Sequence, residues 1–234
     1  MKKGEGDFNF SEGFQDGLPI LLGYFSTAIA FGIICRNIGI PFFETCLYSL
    51  TNFAGAGQFL AVNLFTSGAL LFEYFIGINL INLRYLFMGV ALRTNLSKDV
   101  KGIRKIIVAF GVTDEIFTVA SMKNSNCLSF NYMAGLISSS YLGWNLGTAV
   151  GFMMGMILPK ALQMAVGVTL YAMFSSLLSC EFKSKGPKVI VIAGLSAAIN
   201  SFLILVLSFP SGWSFVVSMV TTAVIGALFM KEEK

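Results

Sequence analysis

The chain has 234 residues, 56% hydrophobic and only 12% charged, with a formal net charge of +4. Soluble domains carry about 25% charged residues, so this composition, with a mean hydropathy of +0.77, excludes an ordinary soluble fold and predicts an all-α, polytopic membrane helix bundle. There is no histidine, which excludes histidine catalysis, histidine proton relays and histidine metal ligands, and the small positive charge marks cytoplasmic loops rather than nucleic-acid binding.

The first sixteen residues are polar and mixed in charge, so no cleavable signal peptide is expected, and the apolar run from Leu18 should act as an uncleaved anchor. Cys35, Cys46, Cys127 and Cys180 show no CxxC spacing, which suggests neither a disulfide framework nor a zinc site. No metal or cofactor is expected. A helix needs about 20 apolar residues to cross the hydrocarbon core. The segments of that kind are 18–38, 44–66, 69–92, 106–122, 130–157, 162–180, 188–209 and 213–230, hence seven or eight spans. Short connections predict a single integral membrane domain over 1–234, with Lys231-Glu232-Glu233-Lys234 as a solvated tail.

The second segment contains Thr51-Asn52-Phe53-Ala54-Gly55-Ala56-Gly57-Gln58-Phe59. Two glycines weaken a helix by roughly 1 kcal/mol each relative to alanine and leave main-chain groups uncovered. Backbone departs from a helix inside a bilayer only where protein or a wet cavity surrounds it. A broken or re-entrant helix near residues 52–58 is therefore predicted, interrupted near Gly55 and Gly57, with Asn52 and Gln58 beside a central cavity. The alternative is a small-residue surface for close helix packing. The charge pattern points the same way. Arg93, Lys98, Lys101, Arg104 and Lys105 follow the third segment and should be cytoplasmic. Three complete spans before them would put Lys2 and Lys3 outside, whereas a half-crossing at 44–65 returns them to the cytoplasm.

The third segment carries Asn79, Asn82 and Arg84. An intramembrane arginine costs several kcal/mol unless it pairs or meets water, and Arg84 lies about 12 Å from the end of its segment. It is either a locking ion pair or part of a polar pathway. The fourth segment places Thr113-Asp114-Glu115 at its centre. Adjacent side chains on a helix diverge by about 100°, so one carboxyl, Asp114, is expected to meet Arg84 and the other, Glu115, to face the cavity near Asn52 and Gln58. Desolvation should favour the protonated form of at least one. In the fifth segment Gly135, Ser139, Gly143, Gly147, Gly151 and Gly155 recur every four residues, a small-residue stripe for helix packing. That stripe drifts by about 40° per step, so two neighbours are expected to share it. Gln163, Ser175, Ser176 and Asn200 read as interhelical hydrogen-bonding positions.

Asp16-Gly17-Leu18-Pro19-Ile20, Phe53-Ala54-Gly55-Ala56-Gly57-Gln58-Phe59, Asn82-Leu83-Arg84-Tyr85 and Thr113-Asp114-Glu115 occur in this order. Together they resemble the AzlC family, the large subunit of two-component branched-chain amino-acid exporters, over roughly residues 11–120. The resemblance implies export of leucine-, valine- or isoleucine-like amino acids across the cytoplasmic membrane, with a small AzlD-type membrane partner. Family members often carry histidine after the arginine of the Asn-x-Arg motif, where this chain has Tyr85. A proton role at that position is thereby placed in doubt, and Asp114 and Glu115 become the better candidates. Chemically, Arg84 or backbone near Gly55 and Gly57 could hold an amino acid's carboxylate, and Asp114 or Glu115 its ammonium. A channel or assembly subunit is the alternative. An enzyme would have to rely on the two adjacent acids alone.

Overall fold

The structure, a computed structural model, describes residues 9–123, 128–155, 157, 159, 175, 178, 179, 182, 183, 186–209 and 211–229. The segment 162–180 lies outside the described residues except at 175, 178 and 179. Lys2, Lys3, Cys127, Gln163, Ser176, Cys180 and the 231–234 tail also lie outside them. Among the described residues the secondary structure is helical: α1 (Phe10–Asp16), α2 (Leu18–Asn37), α3 (Phe42–Thr51), α4 (Gly55–Thr66), α5 (Leu71–Leu92), α6 (Ile103–Gly111), α7 (Asp114–Met122), α8 (Phe130–Met154), α9 (Lys188–Leu205) and α10 (Ser211–Phe229). Of these, α2, α5 and α9 are both long and apolar enough to cross a membrane. The chain divides into two compact units, Met1–Gln58 with Asn82–Thr169, and Phe59–Ile81 with Leu170–Lys234.

The first unit is built on α8. Its small-residue stripe lets α1 and α2 run parallel to it at backbone distance. A Cβ added at Gly135 would lie 2.1 Å from the Phe10 carbonyl oxygen, at Gly143 2.5 Å from that of Leu21, and at Gly151 2.2 Å from that of Ile29. Gly147 faces Phe25 in the same way, and Gly155 meets the stem of Arg36. Two helices thus divide the stripe, joined at Gly17 and Pro19, where proline suits the first turn of α2 and, lacking an N–H, cannot continue the hydrogen-bond ladder of α1.

The two broken helices enter from opposite ends of α8. Helix α3 starts beside its Met154 end, where Phe42 packs edge-on against Phe152, and reaches its middle, where the Tyr141 hydroxyl donates to the Leu50 carbonyl (2.7 Å). Its ten residues rise about 15 Å, half of a hydrocarbon core. The helix stops there, and α4 begins at Gly55. The break therefore falls at 52–54, just before the glycines rather than at them. Those glycines serve close approach: a Cβ at Gly55 would meet the Trp144 ring at 2.7 Å, and one at Gly57 the Asn82 amide at 3.1 Å.

Helix α6 enters from the Phe130 end. It turns in at Gly102, whose φ of +54° only glycine adopts without strain, and climbs until Gly111 abuts Ile137. After Val112 and Thr113 the chain reverses, and α7 descends until Lys123 bonds Glu12 (3.0 Å) and Asp16 (2.8 Å). The fourth predicted segment is thus two nine-residue helices, each about 13 Å long and too short to cross. The reversal has a local cause. The Thr113 hydroxyl caps α7 by accepting from the Ile116 N–H (3.4 Å), and Asp114 and Glu115 occupy the first turn, where the helix dipole favours negative charge.

Beyond α5, Asn95 and Ser97 pair with the backbone of Leu128 next to the Phe130 end of α8. The path from Phe42 to Asn95 therefore amounts to one net crossing. Helix α1, the basic loop 93–105 and the end of α7 all lie at the Phe130 end, and the positive-inside rule makes that end cytoplasmic. The start of α1 at Phe10 thus lies on the same side as the basic loop.

In the second unit α9 packs on α10, whose Ser214, Ser218 and Thr222 are buried at four-residue intervals. The Ser214 hydroxyl donates to the Asn200 side chain at 2.6 Å. Glu73 is buried there and accepts from the Leu70 N–H (2.8 Å), a carboxylate cap on the start of α5.

Candidate functional site

Helix α5 presents Asn82 and Arg84 two residues apart, about 200° around the helix, so they address different neighbours. Asn82 lies against Gly57 of α4. Arg84 reaches α7 and pairs with Asp114, Nη1 to Oδ2 at 2.9 Å, with side chains 33% and 21% exposed. Its Nη2 donates to the Tyr85 hydroxyl at 3.2 Å. The Arg84 Nε–H and the Asn82 Oδ1 are buried without a hydrogen-bond partner among the described residues. Buried polar atoms normally find partners, so a donor and an acceptor stand unused at the level of the helix breaks.

Glu115 takes another direction. Its carboxylate is hydrogen-bonded by the Tyr24 hydroxyl of α2, which also lies 2.7 Å from Thr113 Oγ1. The Tyr24 ring packs edge-on against Phe53 and Trp144, and Phe53 also meets Phe110 and Tyr141. Phe53 sits in the first break and Thr113 in the second, so Tyr24 joins the two.

Gln58 is fully buried. Its Oε1 accepts from the Trp144 indole N–H (3.1 Å) and from the Ser49 hydroxyl (3.4 Å). Its Nε2 donates to the Asn52 carbonyl at 2.6 Å. That carbonyl belongs to the residue capping α3 and would otherwise be an orphan. Gln58 thus closes the broken end of α3, and the Ser49–Thr148 hydroxyl contact at 2.8 Å fixes the same turn to α8.

The structure brings Asn52, Gly55, Gly57, Gln58, Asn82, Arg84, Asp114 and Glu115 into one unit. Asn79 belongs to the other unit, where its amide donates to the Phe75 carbonyl (2.6 Å). Glu115 meets Tyr24, whose ring packs on Trp144, the residue that bonds Gln58. The sequence reading passed over Tyr24 and Trp144. Tyr24 is one aromatic within an apolar run and carries no signal, but Trp144 is a bulky N–H donor inside a stripe of small residues and could have been picked out. Outside the membrane-spanning segments, Lys123, Asp16, Glu12 and Tyr132 form a charged lock at the cytoplasmic end. Burial pushes the Asp16 carboxyl up, but hydrogen bonds from Lys123 and Tyr132 and the Lys123 charge outweigh it and hold the group below its usual value.

An ion pair, a second carboxylate and unused hydrogen-bonding groups beside two helix breaks form a polar centre in an apolar bundle. Ionisable groups at membrane depth are the residue types that line polar pathways, and among the described residues no cluster of three metal-type ligands accompanies them. The model of the AzlC protein family matches residues 19–158, which includes both breaks and all of α8. The chain is 32% identical to the inner membrane protein YgaZ of Escherichia coli (strain K12) over 77% of this chain and 76% of that protein. It is 33% identical to an uncharacterized membrane protein of Archaeoglobus fulgidus over 80% and 83% of the two. It is 28% identical to the branched-chain amino acid transport protein AzlC of Bacillus subtilis (strain 168) over 62% and 58%. No solved structure matches the chain. With its site and its central helix inside the matched region, this integral membrane protein belongs to the AzlC family.

Proposed function

We propose that the chain carries branched-chain amino acids out of the cell in exchange for protons, as the large subunit beside a small AzlD-type membrane protein. The observation that carries this reading is the meeting of two oppositely inserted helix breaks at Tyr24, with Arg84, Asp114 and Glu115 around them. Transporters build midplane substrate sites from such discontinuous helices. Helix α4 starts at the centre with no acid in its first turn, so its N-terminus and the Arg84 guanidinium suit a substrate carboxylate. Glu115 suits the ammonium once Tyr24 releases it. The aromatic cluster of Phe53, Phe110, Tyr141 and Trp144 suits an aliphatic side chain. The Bacillus subtilis relative's description supports the substrate class.

Labelled-leucine counterflow in proteoliposomes, with and without the small partner, tests this. A carrier accumulates label against an unlabelled internal pool, and excess leucinamide, which lacks the carboxylate, competes poorly. Label that merely equilibrates, or fails to enter in either preparation, favours a channel or an assembly subunit.

A further inference from the structure

A second feature of the first unit lies apart from the helix breaks. The C-terminal half of α5, the loop that follows it and α6 enclose a cavity of about 820 Å³, in the upper part of the roughly 300–1,000 Å³ range of ligand sites. Arg93, Lys98, Lys101 and Lys105 line its loop side, and no carboxylate lines it. The one acid nearby, Asp99, is already engaged, 3.7 Å from Arg104 and accepting from the Phe130 N–H at 3.3 Å. Among the described residues none of the four cations forms an ion pair. Four like charges around one space repel each other, and an anion bound among them relieves that repulsion.

The remaining wall decides which anion. Away from the loop the lining becomes apolar, with Leu86 and Val90 of α5 and Val108 and Val112 of α6. Leu86 and Val90 are 62% and 65% exposed, so the cavity opens sideways on the face of a membrane-crossing helix. A small soluble anion would satisfy the cations and leave that wall wet, whereas an amphiphile covers both. The cations also lie at the cytoplasmic end of α5, the depth at which the headgroups of an anionic leaflet stand, and basic pockets at this position hold anionic lipid headgroups.

We propose that this cavity binds an anionic phospholipid of the cytoplasmic leaflet, its phosphate among Arg93, Lys98, Lys101 and Lys105 and an acyl chain along Leu86 and Val90. The bound lipid bridges α5 to the re-entrant α6. Its deep end touches Tyr85 and Val112, the neighbours of Arg84 and of the second break, so occupancy stiffens the hairpin that carries Asp114 and Glu115. The proposal does not depend on the substrate assigned above.

The test uses the full chain in nanodiscs of phosphatidylcholine alone or with phosphatidylglycerol. Phosphatidylglycerol should raise the melting temperature, and Lys98→Gln/Lys101→Gln/Lys105→Gln should weaken that response, corresponding to an affinity loss on the order of a hundredfold. Lys183→Gln/Lys188→Gln, with two cations removed elsewhere, should keep it. Because the triple variant could fold poorly, a photo-crosslinking residue at Val90 in an otherwise native chain gives a second readout and should capture phosphatidylglycerol in preference to phosphatidylcholine. Inorganic phosphate added to phosphatidylcholine discs distinguishes the sources. Equal stabilisation by phosphate, with no lipid preference in the crosslink, would make this a free-anion site and overturn the proposal. A response to phosphatidylglycerol that survives the triple substitution, or no response at all, overturns it as well.

Discussion

Replacing Gly147 with alanine adds one methyl group to the α2–α8 seam, and the structure fixes what that methyl meets. It would lie 2.5 Å from the Phe25 carbonyl oxygen, 2.8 Å from the Ala28 Cβ and 3.0 Å from the Phe25 Cα. None of these atoms belongs to a flexible side chain, so the helices must part. A separation of about 0.5–1 Å forfeits a quarter to a half of each contact along the seam, and overpacking of this kind costs about 1–3 kcal/mol. Gly23 on α2 is the control, because nothing lies within 4 Å of its added Cβ. Both substitutions gain the same helix propensity, about 1 kcal/mol, so their difference isolates the clash. For a chain of this size Gly147→Ala should melt roughly 2–12 °C below Gly23→Ala. Thermal unfolding of the purified protein at one fixed scan rate measures the gap. Gly147→Ala/Gly151→Ala should cost less than the sum of its parts, since helices already parted at one point have room at the next. Equal melting temperatures for Gly147→Ala and Gly23→Ala would refute the seam.

Asp114→Asn leaves the Arg84 guanidinium without its carboxylate and should lower both melting temperature and leucine counterflow. The stability loss stays under the 3–5 kcal/mol of a fully buried broken pair, because the pair is partly exposed, and adding Arg84→Gln should recover stability but not transport. Tyr24→Phe removes the hydroxyl that joins Thr113 and Glu115. Thermal melts should show a loss of about 1.5–3 kcal/mol, the range for a hydrogen bond to a charged group, and an unchanged melt would show that the contact holds nothing together. Lys123→Met tests the cytoplasmic lock. Asp16 has its folded value lowered, so its contribution is present above its unfolded value of about 3.9 and is lost as pH falls through the folded one. The melting temperature of the native chain should therefore drop more steeply below about pH 4 than that of Lys123→Met.

The small-residue stripe was legible because its chemistry and its period agree: only glycine admits a backbone at these distances, Ser139 fits because it faces Gly17, and α1 and α2 share the stripe as its drift requires. The first break was legible to within three residues. Glycine spacing signals exposed backbone, but here Gly55 and Gly57 make room for Trp144 and Asn82, while the helix ends earlier, where Gln58 caps Asn52. The second break was hidden by hydropathy. Residues 106–122 read as one crossing, although Thr113-Asp114-Glu115 is also a helix start, with a capping hydroxyl followed by two acids. Position in a span decided between two readings that the same residues support. Tyr24 could not be read at all, because its role comes from residues 89 and 91 positions away in the chain.

The two breaks also explain how an apolar bundle tolerates these charges and why a proton belongs in the proposed cycle. At the centre α4 and α7 begin while α3 and α6 end. With about half a charge of either sign at each terminus, the four helix ends sum to nearly zero. Arg84 and Asp114 cancel. What remains is Glu115, and with both carboxyls ionised the centre carries one net negative charge. A zwitterionic amino acid brings no net charge and leaves that excess in place. A proton removes it. Moving an uncompensated charge through hydrocarbon costs several kcal/mol or more, so on the proposed reading the substrate-free centre crosses with a proton. On that reading the substrate ammonium meets the same carboxylate and competes with the proton, and exchange would rest on that competition.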